Sequence, residues 1–281
     1  METNNGTGWE RHRRTHFDEI VVNYDRVRPE YPSVLFEDVC RYSGLKKGKK
    51  ALEIGAGTGK ATAPFIEAGY DVTAIEIGAN MADFLTERFK GYKGFNVVTS
   101  TFEDALLEEN NYDLIYAASA FHWVDAEIGC PKAFRLLKIR GAIALLRYNF
   151  NYIPPDDEEL SEEIQAVYEK HFYSYYTWDS SNIKKITKKG FEEDPKLLSG
   201  YGFEDLSVYG FSDVLMNLYE ATLTYSADEW IVFLDTLANH RNLPDCNRVS
   251  LYAGVKEAII KHGGFHKVDC IFQLYMGRKS T

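Results

Sequence analysis

One carboxylate and three glycines have the spacing of a ligand-binding turn. Glu53 stands two positions before Gly55, and glycine recurs at alternate positions through Gly55-Ala56-Gly57-Thr58-Gly59. A short apolar run, 50–54, leads into this segment and an amphipathic run follows it, so the glycines sit where a strand turns into a helix. Without Cβ atoms the turn can take positive φ, and its N–H groups can face a ligand at a helix N-terminus. Two other nucleotide patterns are weakened by particular residues. The dinucleotide fingerprint G-x-G-x-x-G requires glycine at position 60, which is Lys60. A phosphate-binding loop closing on Gly59-Lys60 requires glycine at Ile54 and Ser or Thr at Ala61. A second carboxylate, Glu76, ends the next apolar run.

These residues need a scaffold, and the pattern from 50 onward supplies one. Strands are expected at 50–54, 71–76, 96–100, 112–118 and 142–147, with helices at 60–68, 79–89 and 131–137. Such alternation marks βαβ units and a parallel sheet, which binds ligands beyond the C-terminal ends of its strands. Pro154-Pro155 and the acids that follow mark a boundary, after which helical stretches rich in Tyr and Lys run to about 198. Gly202-Phe203 leads into a short strand at 206–210, and a last strand is expected at 268–275. Helices at 227–239 and 247–262 lie between these two strands. Ser226 and Glu229 form a capping-box pattern. The expected fold is α/β, a doubly wound, mostly parallel sheet with a helical cap. Its segments are 1–45 (N-terminal cap helices), 46–150 (the α/β core), 151–200 (a helical insertion) and 201–281 (the last two strands with helices 226–262 between them).

Composition narrows the partners. The net charge is −10, and nucleic-acid binding needs clustered Lys and Arg to neutralise phosphates, so a nucleic-acid partner is not expected. The basic cluster Lys184-Lys185 with Lys188-Lys189 is short and followed by Glu192 and Glu193. No apolar run of about 18 residues occurs and the start is polar, which gives the expectation of a cytoplasmic protein without a membrane partner. Cys40, Cys130, Cys246 and Cys270 are far apart and form no C-x-x-C, so reduced thiols and no metal site are expected. Aromatic residues make up 14% of the chain, and several, such as Tyr31, Tyr173, Trp178 and Trp230, lie outside the expected sheet. They offer walls for a pocket or packing for a core.

The acid followed by G-x-G-x-G resembles the first motif of class I S-adenosylmethionine (SAM)-dependent methyltransferases, and the order of later motifs agrees over about 15–150. The resemblance implies a seven-stranded Rossmann-like fold that binds S-adenosyl-L-methionine and yields S-adenosyl-L-homocysteine (SAH). It implies a cofactor set of Glu53, Gly55, Ala56, Gly57 and Gly59, then Glu76 on both ribose hydroxyls with Ile77 and Met81 beyond it, and Thr101, Phe102 and Glu103 at the adenine. The segment Asn111-Tyr112-Asp113-Leu114-Ile115 resembles the fourth motif and leads through Ala118 into Phe121-His122-Trp123 beside the methyl group. Upstream, Tyr24-Asp25-Arg26-Val27-Arg28-Pro29-Glu30-Tyr31-Pro32 resembles the N-terminal segment of small-molecule carboxyl methyltransferases akin to the trans-aconitate group. That segment closes over the cofactor, which adds Tyr24 and Arg28 to the set. Downstream, Tyr225, Trp230, Thr236 and His240 resemble a helical cap pattern. Lys138-Ile139-Arg140-Gly141 departs from the Lys-Pro-Gly-Gly of many members.

The chemistry implied is simple. A methyl sulfonium is already a good electrophile, so the protein mainly aligns the acceptor and keeps the site dry. A carboxylate acceptor needs no base; an amine, phenol or carbon acid needs one, for which His122 is the candidate, against a plain helix-start histidine packed on Trp123. Arg28, Arg147 and His240 are candidates to receive a substrate carboxylate, with Trp123 and Tyr225 beside them. The expectation is methyl transfer to a small molecule by a monomer or homodimer. The alternatives are an NAD-linked oxidoreductase and a SAM-binding protein without catalysis.

Overall fold

The computed structural model describes residues 15–44, 46–150, 157–177, 187–193 and 205–280. The expectations resting on Pro154-Pro155, Trp178, Lys184-Lys185 and Gly202-Phe203 lie outside the described residues. The chain forms two compact units, 30–148 with 188–219 and 271–281 (the sheet unit), and 1–29 with 149–187 and 220–270 (the helical unit).

The sheet has seven strands: β1 (Lys50–Ile54), β2 (Asp71–Glu76), β3 (Phe95–Thr99), β4 (Tyr112–Ala118), β5 (Leu137–Phe150), β6 (Phe211–Ser226) and β7 (Phe265–Lys279), in the order β3-β2-β1-β4-β5-β7-β6. From β3 to β5 every pairing is parallel. β7 runs the other way. Lys279 Nζ donates to the Leu137 carbonyl at 2.8 Å, while the Phe272 ring lies 6.0 Å from that of Tyr148, so β7 ascends as β5 descends. The central strands read as continuous apolar runs because helices cover both faces. Leu114, Ile115, Tyr116 and Ala117 of β4 are all fully buried.

On one face α5 (Ala126–Leu136) packs Cys130, Ala133 and Leu136 against Leu52, Ile115, Ile143 and Leu145. On the other, α2 (Ser33–Ser43) buries Leu35, Phe36 and Val39, and α3 (Thr62–Glu67) buries Phe65, whose ring lies 4.6 Å from Tyr116 and 5.6 Å from Phe36. Together with α4 (Ala79–Phe89), these helices alternate with strands as the sequence pattern requires.

The helical unit holds α1 (Val21–Val27), α6 (Glu158–Tyr168), α8 (Ala227–Asp235), α9 (Ala238–Arg241) and α10 (Asp245–Lys261); α7 (Lys188–Glu193) belongs to the sheet unit. Both hydrogen bonds of the Ser226–Glu229 capping box are present at the start of α8. Among the described residues no helix is long and apolar enough to cross a membrane. All four cysteines are free thiols.

Two strand expectations need correction. Residues 206–209 form a 3₁₀ turn rather than a strand, because Asp205 caps it through the Ser207 N–H at 2.9 Å. The strand starts at Phe211 and runs sixteen residues. β6 ends the strand order, so most of its side chains are only half-buried and it lacks a clean apolar alternation. β5 and β7 also extend well beyond 142–147 and 268–275.

Candidate active site

The glycine turn is shaped by its neighbours. Gly55 has φ +66°, and a Cβ there would lie 2.6 Å from the Ala120 Cβ; at Gly59, φ +88°, it would lie 2.5 Å from the Phe89 ring. No side chain fits either position, so glycine at 55 and 59 is demanded by Ala120, just past β4, and by Phe89 of α4. The Gly55 and Ala56 N–H groups both donate to the Ile75 carbonyl, at 2.8 and 3.2 Å. Gly57 donates to Glu76 Oε2 at 2.7 Å, and Gly78 donates to Glu76 Oε1 at 2.9 Å. The carboxylate at the end of β2 therefore ties the turns after β1 and β2 together. It presents both oxygens in one plane with about four acceptor positions in all.

Glu53 lies inside the protein. Its Oε2 accepts the Thr62 hydroxyl and, at 2.9 Å, the Tyr116 hydroxyl, while its Oε1 has no partner. Burial pushes its pKa up to about 8; the hydroxyls of Thr62 and Tyr116 pull it down, and the charge of Glu76 adds to the rise. At neutral pH Glu53 carries its proton.

The strand order sets the C-terminal ends of β3, β2, β1 and β4 side by side, and with them most of the expected cofactor residues. Gly55, Gly57, Ile77, Thr101, Glu103 and Ala118 are half-buried, and Ala56, Met81 and Phe102 are buried. His122 and Trp123 follow β4 in a 3₁₀ turn, half-buried, their rings 5.1 Å apart. Arg147 is also half-buried. It stands one residue past the Ala118–Leu146 pairing of β4 with β5, so it belongs to the same end of the sheet.

Sequence reasoning missed a clasp at this end. Ser119, a non-glycine residue at φ +51°, donates its N–H to the Leu146 carbonyl at 2.8 Å, and its hydroxyl meets that of Tyr31, also at 2.8 Å. Residues in this conformation cost about 1–2 kcal/mol and concentrate at functional sites. The neighbouring Glu30 is ion-paired to Lys60, which directly follows Gly59. Residues 30 and 31 are thus fastened to the end of the glycine turn and to the end of β4. The oddity of lysine at 60 was the available signal; its partner thirty residues upstream was not.

Tyr24, Arg28 and Tyr225 fall in the helical unit, gathered around Phe233. The Arg28 guanidinium lies 4.8 Å from the Tyr24 ring centre and 5.4 Å from that of Phe233, and donates to the Thr236 carbonyl at 2.5 Å. Tyr225 packs 5.5 Å from Phe233 and 5.4 Å from Trp230, and burial raises its pKa. His240 requires a correction. Its ring nitrogens are engaged by Tyr168 Oη at 2.9 Å and Asn239 Oδ1 at 2.8 Å, and burial drives its pKa down to about 3. It is a neutral core histidine, without the charge that a carboxylate receptor needs.

Comparison with known proteins bears on this end of the sheet. A family model described as a methyltransferase domain matches residues 52–145, the stretch from β1 into β5. Over residues 52–145 the chain is similar to a methyltransferase domain. An uncharacterized methyltransferase of Mycobacterium bovis is 31% identical over 130 residues, 46% of this chain and 51% of that protein. The chain therefore spans about half the length of that relative. An uncharacterized methyltransferase of Schizosaccharomyces pombe is 23% identical over 86% of both chains. Among solved structures, a protein of Anaeromyxobacter dehalogenans whose name proposes a type II methyltransferase superposes with a TM-score of 0.60 at 19% identity, covering 90% of this chain and 98% of that one. Phosphoethanolamine N-methyltransferase 2 of Haemonchus contortus, solved with S-adenosylhomocysteine, gives 0.53 at 15% identity, covering 98% and 61%. These likenesses show the fold.

The domain family uses SAM, and the residues present fit it. Gly55 and Gly59 carry the turn through positive φ closely against Ala120 and Phe89, and Glu76 holds a planar pair of acceptors at the edge of that turn. Phe102 and Met81 are buried apolar side chains on the segments that follow β3 and β2.

Proposed function

We propose that this protein transfers a methyl group from SAM to a small-molecule acceptor. The observation that carries the reading is the clamped pair of turns after β1 and β2, where Glu76 takes the Gly57 and Gly78 N–H groups beside a glycine turn closed to every side chain at 55 and 59. When bound, SAM supplies a methyl group on a sulfonium, ready for in-line displacement. The residues do the rest. Glu76 accepts hydroxyls of the ribose, with Ile77 and Met81 beyond it, and Thr101, Phe102 and Glu103 meet the adenine. Ala118 lines the approach to the methyl group. His122 accepts the proton of an amine, phenol or carbon acid, whereas a carboxylate acceptor needs no base and is received by Arg147.

A net charge of −10 favours a small molecule over nucleic acid. An Arabidopsis relative named as a ribosomal RNA small subunit methyltransferase matches only 37% of this chain and 28% of its own. The test is calorimetric titration with SAM, SAH and NAD, followed by transfer of labelled methyl to small carboxylic acids, amines and ribosomal RNA. Micromolar binding of SAM and SAH with labelling of a small molecule is expected. Binding of NAD alone, or labelling of RNA alone, would overturn the proposal.

A further inference from the structure

Lys132 of α5 turns its head inward, where a surface lysine ordinarily keeps it in water. Its ammonium donates to two main-chain carbonyls of the loop after β3, Glu103 O at 3.0 Å and Ala105 O at 2.6 Å, and stands 5.3 Å from the centre of the Phe102 ring. Burial, with the charge of Arg135, pulls its pKa below the ordinary lysine value, against the opposing pull of Asp104 and Glu103. The same loop is stapled from within. The Thr101 hydroxyl donates to Asp104 Oδ2 at 2.7 Å and accepts the Asp104 N–H at 3.0 Å, and the Ala105 N–H donates to the Thr101 carbonyl at 3.0 Å. Residues 101–105 thus have no ladder of their own. Their path is set by Thr101 on one side and by Lys132 on the other.

We propose that Lys132 is a positioning residue for the cofactor's purine: it holds the 101–105 loop in the shape with which Phe102 and Glu103 meet the base. The inference rests on the reading of that loop as the adenine contact. Charge-assisted hydrogen bonds to two carbonyls fix main chain more firmly than neutral ones, so removing the ammonium releases the loop while α5 keeps its packing through Cys130, Ala133 and Leu136. Lys132 touches no reacting atom. Its effect passes through the loop and falls on recognition of the base.

The test compares dissociation constants of SAH and of S-inosylhomocysteine, in which the 6-amino group is a carbonyl, for the wild type, K132M and K132R, with thermal midpoints alongside. The wild type should prefer SAH. K132M should bind SAH about tenfold more weakly while its affinity for the inosine analogue changes little, so the preference collapses; K132R, which keeps charge and donors, should retain most of it. A merely structural role would weaken both ligands together in step with the midpoint. Should K132M not fold, K132Q is read by the same ratio. An unchanged ratio in the Met or Gln variant overturns the role of Lys132 and leaves the cofactor reading standing. Failure of the wild type to bind SAH overturns the cofactor reading and this inference with it.

Discussion

Replacing Glu53 by glutamine should make stability at alkaline pH better rather than worse, although the residue belongs to the motif that marks the site. The carboxyl is raised by burial from 4.5 to about 8. Between those values the folded protein binds a proton that the unfolded chain does not, so stability falls as pH rises. The contribution is fully present below about pH 4.5 and lost as pH passes through about 8. At about 1.4 kcal/mol per pH unit, the span amounts to roughly 5 kcal/mol as a ceiling. Glutamine keeps an acceptor for Thr62 and Tyr116 and never ionises. E53Q should therefore match the wild type or fall slightly below it near pH 5, and exceed it by several kcal/mol at pH 8.5. At about 2–4 °C per kcal/mol for a chain of this size, the gap in melting midpoint should open by up to about 10–20 °C. The assay is thermal melting of both proteins from pH 5 to 9, taken as a difference so that other titrating groups cancel. A difference that stays flat across this range would refute the reasoning.

His240 has the opposite sign. Its folded pKa of about 3 means that its contribution is present above about 6.5 and lost as pH falls toward 3, about 2 kcal/mol by pH 5; urea denaturation at pH 7 and pH 5 should show that loss in the wild type and a smaller one in H240Q. Arg140 holds φ +69° where many family members have glycine, so R140G should raise stability by up to about 1 kcal/mol in chemical denaturation, and a drop would show that the arginine side chain contributes more than its backbone strain costs. Gly57→Asp brings a second carboxylate beside Glu76, which takes the Gly57 N–H; SAH affinity should fall at least a hundredfold in calorimetry, and retained micromolar binding would contradict the placement of the cofactor.

Much of the sheet unit was legible before any coordinates. Short apolar runs alternating with amphipathic ones located β1 to β4 within a residue or so, because buried parallel strands have no solvent face to interrupt the run. The glycine turn and Glu76 were legible because their chemistry is local: an acid two residues before alternating glycines needs only its own strand and turn. The long strands were less so. β6 ends the strand order and shows mixed burial along its length, which removes the periodic signal.

What the sequence determined by itself was the class of fold and the kind of ligand its turn can hold, since both follow from periodicity and from which residues lack a Cβ. Only the tertiary structure decided which polar residues face the site. Glu53 became a buried neutral acid and His240 a core histidine because each is enclosed by distant elements, Tyr116 in one case and Tyr168 in the other. Lys60, an anomaly in the motif, gained a role through Glu30, and Lys132, ordinary in sequence, gained one through two carbonyls of a loop nearly thirty residues away. Desolvation and long-range hydrogen bonding depend on neighbours in space, and a linear pattern does not record them.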